Sequence, residues 1–125
     1  ARSTAEYFME QLRHEPQEHL MLAMFDNKSM LIGEKLLSTG TSNAALISAR
    51  DIYRTALQYQ AAYVVVLHNH PSGNPEPSRE DILVTRKIKA CGELLDILLM
   101  DHIIIGDNRY FSFREQDILF EKGRD

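Results

Sequence analysis

Tyr63-Val64-Val65-Val66-Leu67-His68-Asn69-His70-Pro71-Ser72-Gly73-Asn74-Pro75-Glu76-Pro77-Ser78-Arg79-Glu80-Asp81 is the stretch around which the chain is organised. Its first five residues are apolar, β-branched or aromatic and free of Gly and Pro, which predicts a short buried strand. If the strand continues through the histidines, its period of two puts His68 and His70 on one face, roughly 7 Å apart at the backbone. Pro71, Gly73, Pro75 and Pro77 then force a turn. Ser78 fits the N-cap of a following helix, with Asp81 at its third position. A strand end bearing two imidazoles is thus tied by a rigid turn to a helix start bearing a carboxylate.

Two histidines and one carboxylate leave a fourth position for water, which is the ligand count of a catalytic zinc site. Such an ion lowers the pKa of its water and polarises a carbonyl oxygen. Ser78 and Asp81 by themselves also read as a capping box, worth about 1 kcal/mol and carrying no chemistry.

The string His68-x-His70-Pro71, then Ser78-x-x-Asp81, resembles the JAMM signature of MPN-domain metalloproteases. His70-Pro71-Ser72-Gly73 and Asp101-His102-Ile103-Ile104-Ile105-Gly106 resemble its bacterial RadC branch, and the similarity runs from about Glu18 to Phe113. The resemblance implies that His68, His70 and Asp81 bind Zn2+, that Ser78 steadies the oxyanion of the attacked carbonyl, and that an upstream glutamate is the general base. It also implies a single MPN/JAMM domain over residues 1–125, expected to be the C-terminal domain of a longer chain. The missing methionine before Ala1 is read the same way.

Two acids compete for the base. Glu18 opens the first strand, where the JAMM pattern puts its glutamate, and is favoured. Glu34 sits mid-strand in Leu31-Ile32-Gly33-Glu34-Lys35-Leu36-Leu37, where alternation does not decide which face is wet. His19, beside Glu18, is read as a strand residue facing the other way.

The remaining segments read in order. Residues 3 to 14 predict an amphipathic helix capped by Ser3 or Thr4 and ended by Pro16. Residues 18 to 26 and 30 to 39 predict a hairpin, with Asn27 suited to positive φ in its turn and Gly40-Thr41-Ser42-Asn43 closing it. Residues 48 to 60 predict a helix with Ser48 and Asp51 as its capping box and Ile52, Ala56, Leu57 and Tyr59 as its stripe. Arg50 and Arg54 fall on its polar side, which reads as a solvated face or, for Arg50, as a contact to a substrate carboxylate. The helix of residues 79 to 95 is expected to bury Ile82, Val84, Thr85, Ile88, Ala90, Cys91, Leu94 and Leu95. Residues 96 to 105 read as strand, 106 to 109 as a hairpin turn, and 110 to 113 as the closing strand before a short helical tail. In Asp101-His102 a buried polar pair needs partners. Asp101, ahead of His102, is the candidate to orient a ligating ring, and holding loops together is the alternative.

The fold expected is α/β: a three-layer α-β-α MPN/JAMM (cytidine deaminase-like) arrangement with a mixed, curved sheet. The helix of residues 48 to 60 is expected on one side and that of 79 to 95 near the other.

Composition narrows the function. The chain has 125 residues, enough for one domain with a real core. A formal charge of −4 lacks the basic balance of a nucleic-acid binder. Cys91 is the only cysteine and can form no internal disulfide, which fits a reducing cytoplasm. No apolar run approaches the length of a membrane span. The function expected is zinc-dependent hydrolysis of an amide or isopeptide bond in a peptide or protein substrate. The rivals are a repair-associated accessory role on nucleic acid, which would show steeply salt-dependent DNA binding, and a non-catalytic interaction module.

Overall fold

The computed structural model describes residues 1–40 and 48–120. The elements run α1 (Arg2–Leu12), β1 (Glu18–Phe25), β2 (Leu31–Gly40), α2 (Ala49–Gln58), β3 (Tyr63–Asn69), α3 (Arg79–Leu95), β4 (Leu98–Ile105) and β5 (Tyr110–Ser112). Among the described residues the strands form one sheet in the order β2-β1-β3-β4-β5. Only β3 and β4 pair in parallel, and the other neighbours are antiparallel.

The Val-rich run is central in this sheet and buried on both faces. Val64 and Val66 share one core with Leu20, Leu22 and Met24 of β1, and with Ile52, Tyr53 and Ala56 of α2 and Ile88 of α3. Val65 and Leu67 face a second core, made with Met21 and Ala23 and with Ala5, Phe8 and Leu12 of α1. The three-layer arrangement is present, but the helices are distributed differently from expectation: α2 and α3 lie on the same face and α1 covers the other. Strand order explains this. β1 separates β2 from β3, so β2 and β3 are parallel. The chain therefore steps the same way along the sheet in β2-α2-β3 and in β3-α3-β4, and crossovers of one hand stepping one way leave their helices on one face.

Local differences have local causes. The N-cap of α1 is Ala1, with no side-chain bond, in place of Ser3 or Thr4. In the β1–β2 turn Ser29 takes positive φ, while Asp26 Oδ1 accepts from the Lys28 and Met30 amides. The α2 stripe turns Tyr53 inward, its hydroxyl donating to Ile88 O at 2.8 Å, and leaves Leu57 and Tyr59 exposed. Along α3 the buried line is Asp81, Thr85, Ile88 and Gly92. Leu94 stands about 200° around the helix from Gly92 and is 87% exposed; Leu95 and Ala90 are exposed too. Gly92 is small because a Cβ there would meet Tyr53 Oη and Ile97 O. Asp96 ends α3 in the left-handed conformation, so β4 starts only at Leu98. Cys91 is partly buried against the first core.

The tail after β5 runs as successive turns rather than a helix, yet Phe120 is buried and Ile118 and Leu119 pack on the core. Of the turn expected at Gly40-Thr41-Ser42-Asn43, the last three residues lie outside the described residues. No helix among the described residues is long and apolar enough to cross a membrane.

Candidate metal centre

Three elements deliver the polar groups to one end of the sheet. In the antiparallel β1–β3 ladder Leu20 faces His68, so Glu18 emerges beside His70. Asn69, buried between the two histidines, fixes that end of β1: its Oδ1 accepts from the His19 amide at 2.7 Å, and its Nδ2 donates to Gln17 O at 3.0 Å. Glu18 is thus clamped by backbone bonds on both sides. No residue pattern marks Asn69 for this role.

The turn after His70 is held by its docking. His70 N–H donates to Ile105 O, and Gly73, at φ +88°, offers its carbonyl to Asp107 N–H and the Arg109 guanidinium. Gly106 has no room for a Cβ, which would strike Gly73 O. The chain then enters α3 through a complete capping box. Ser78 N–H donates to Asp81 Oδ2 at 2.8 Å, and Asp81 N–H donates to Ser78 Oγ at 3.1 Å.

The side chains converge. His68 Nε2 lies 3.2 Å from His70 Nε2, 3.3 Å from Asp81 Oδ1 and 3.5 Å from Glu18 Oε1. His70 Nε2 lies 3.1 Å from Asp81 Oδ2. Donor atoms of Glu18, His68 and His70 all fall within 4.8 Å of one another. Ser78 sits at the exposed lip, and its Oγ accepts the cap bond. His70 Nδ1 faces the Asn74 carbonyl at 2.9 Å, which can only accept, so Nδ1 carries a proton. The Nε2 lone pair of neutral His70 then faces another imidazole nitrogen and a carboxylate. Such a cluster needs a proton or a cation at its centre, and this nitrogen and oxygen donor set suits a divalent metal.

Electrostatics agree. Burial opposes ionisation of Asp81, but the adjoining His68 and His70 rings and the Ser78 amide outweigh it and hold the carboxyl well below the usual range. Burial also opposes charge on His70, yet its bonds to Asp81 and Asn74 O leave its pKa raised. Burial pushes the Glu18 carboxyl up, partly offset by the two imidazoles.

The other candidates are not brought here. Glu34 lies on β2 opposite Ala23 and accepts a bond from Tyr7 of α1 at 3.0 Å. His19 turns to Thr39 and Glu15. Arg50 is exposed on α2, and among the described residues no hydrogen bond ties it to the cluster.

Of the two readings open for the Asp101-His102 pair, holding segments together falls to Asp101 and orienting a ring to His102. Asp101 accepts from Ser112 Oγ and from the amides of His102 and Arg114, and so ties β4 to the chain around β5. His102 is the residue that reaches the cluster, its Nε2 2.7 Å from His68 Nδ1, while its Nδ1 contacts Thr85 Oγ1. The cause is a bulge. Val64 pairs with Leu99 but Val65 with Asp101, leaving Met100 extra in β4. One extra residue inverts the alternation and turns His102 toward α3.

A family model described as RadC-like JAB domain matches residues 1–118. A UPF0758 protein of Clostridium perfringens is 44% identical over 115 residues, covering 92% of this chain and 51% of the relative. One from Thermotoga maritima is 47% identical over 100 residues, covering 80% and 45%. One from Geobacillus thermodenitrificans is 41% identical over 112 residues, covering 90% and 50%. The chain spans about half the length of the curated relatives it matches.

Proposed function

The chain belongs to the RadC-like JAB domain family, and from that premise we propose that it is a metal-dependent hydrolase, with zinc as the metal and an amide or isopeptide bond of a peptide or protein as the target. The observation that carries this reading is the convergence of His68, His70, Asp81 and Glu18 at one strand end.

In this reading His68, His70 and Asp81 hold the ion. When bound, the metal supplies Lewis acidity, polarising a carbonyl and acidifying a water. Asp81 suits a ligand because it is buried, ionised and fixed by both imidazoles and the Ser78 amide. Glu18 suits the base. It keeps some exposure, it touches the cluster only at His68, and its raised pKa favours taking a proton from the attacking water and returning it to the leaving amine. Ser78 offers its hydroxyl proton to the oxygen that gains charge, beside the positive end of the α3 dipole. Purified protein should bind zinc, and the double variant His68→Ala, His70→Ala should lose it by metal analysis. Equal zinc content in the two would remove the proposal.

Protons and metal compete for these groups, and a pH profile follows. In chelator-treated protein the depressed Asp81 pKa adds stability that is present above the ordinary carboxylate value of about 4 and lost as pH falls toward its folded value. The raised His70 pKa adds stability that is present below about 6.5 and lost as pH rises through its folded value. The pair therefore contributes most between roughly pH 4 and 6.5. Thermal melts across pH should show Tm falling on the alkaline side of that window, and added zinc should remove that fall. An alkaline limb unchanged by zinc would contradict it.

A further inference from the structure

We propose that Thr85 and His102 form a fixed hydrogen-bond relay that locks His68 in the tautomer with a bare Nε2, so that the chain presets its own metal ligand. The relay extends the metal-centre reading above and rests on it for its consequence, though not for its geometry.

The direction of each bond follows from the one before. Thr85 Oγ1 lies 2.6 Å from Asp81 O, a carbonyl that can only accept, so the hydroxyl proton is committed there. Toward His102 Nδ1 the same oxygen must therefore accept, and the proton between them belongs to His102. His102 is fully buried, its ring stacked on Phe113 at 7° with centroids 4.9 Å apart, and among the described residues its two ring nitrogens meet only Thr85 and His68. An imidazolium there would be a buried charge with no carboxylate bonded to it, which is costly. A neutral ring with its proton on Nδ1 has a lone pair on Nε2. That lone pair faces His68 Nδ1 at 2.7 Å, so His68 must donate, and its Nε2 is left bare toward His70, Asp81 and Glu18.

The arrangement has a chemical consequence. Ligating histidines usually give their second N–H to a carboxylate, a carbonyl or water. Here the acceptor is a neutral imidazole. It orients the ring and fixes the proton without adding negative charge behind the ligand. The relay also starts at the carbonyl of Asp81, so one α3 turn orders a carboxylate and, through two further side chains, an imidazole from another element. His102 and Thr85 are positioning residues; neither reaches the centre itself.

The test reads the tautomer directly. Two-bond proton–nitrogen NMR correlations on chelator-treated wild type, above the histidine titration range, should show His68 protonated at Nδ1. In the near-isosteric Thr85→Val and in His102→Leu, His68 should shift toward the Nε2–H form. Zinc should bind about 10–100-fold more weakly to both, as when a ligand loses its outer partner. His102→Gln supplies an amide oxygen as acceptor and should recover much of the affinity. The wild-type spectrum needs no variant to fold. His68 protonated at Nε2 in wild type that binds zinc would overturn the relay alone. Zinc affinity unchanged in folded Thr85→Val and His102→Leu would overturn its consequence for the metal. Wild type that binds no zinc would overturn the metal reading itself.

Discussion

Glu18→Gln is expected to slow amide hydrolysis by about 10²–10⁴-fold, the range for loss of a positioned general base, while zinc content stays at the wild-type level. Gln keeps the length and a hydrogen-bonding oxygen of Glu but cannot take a proton at neutral pH. The backbone clamp by Asn69 involves residues 17 and 19 and survives the change. The measurement is the rate on a peptide or isopeptide substrate, with metal analysis of the same sample. Loss of zinc together with rate would make Glu18 a ligand, an outcome its position within 4.8 Å of both histidine donors gives a geometric basis. Unchanged rate would end its assignment as base.

Asp81→Ala is expected to weaken zinc binding by more than about 100-fold, beyond the loss that follows when a ligand loses only its outer partner. The same change removes half of the α3 capping box, at a cost of about 1 kcal/mol. Ser78→Ala separates the two effects: it should cost a similar cap energy of about 1 kcal/mol and leave zinc affinity near wild type. Calorimetric titration with zinc and chemical denaturation of the chelator-treated proteins check both halves. Equal zinc affinity in Asp81→Ala and wild type would transfer the third ligand position to another group.

What could be read from the sequence was what is local. The strand before His68 followed from its β-branched run, and its period of two brought both imidazoles to one face. The start of α3 followed from the spacing of Ser78 and Asp81, because capping is settled within one turn. What could not be read depended on pairings between distant segments. Alternation from Glu34 leaves its face undecided, and what keeps it from the cluster is the β1–β2 register, which sets it opposite Ala23, five residues along β1 from Glu18. The shared face of α2 and α3 followed from β1 lying between β2 and β3, which no residue pattern announces. Plain alternation from Leu99 would put Asp101, not His102, on the α3 face. The extra residue at Met100 shows only against β3. Leu94 is apolar, yet its angle around α3 from Gly92 puts it in solvent.

The dispersal of the polar groups has a consequence for how the protein reaches and leaves its native state. Glu18 comes from β1, His68 from β3, His70 from the residue just after that strand, Asp81 from the start of a crossover helix, and the ring behind His68 from β4. No hairpin or helix pair isolated from the rest would hold this set. An ion seated there would rivet segments that meet only once the sheet order is complete, so it would act on the last steps of assembly and the first steps of opening. Metal supply would then set the lifetime of the folded chain as well as its chemistry, and starvation for the ion would surface as faster turnover of the polypeptide.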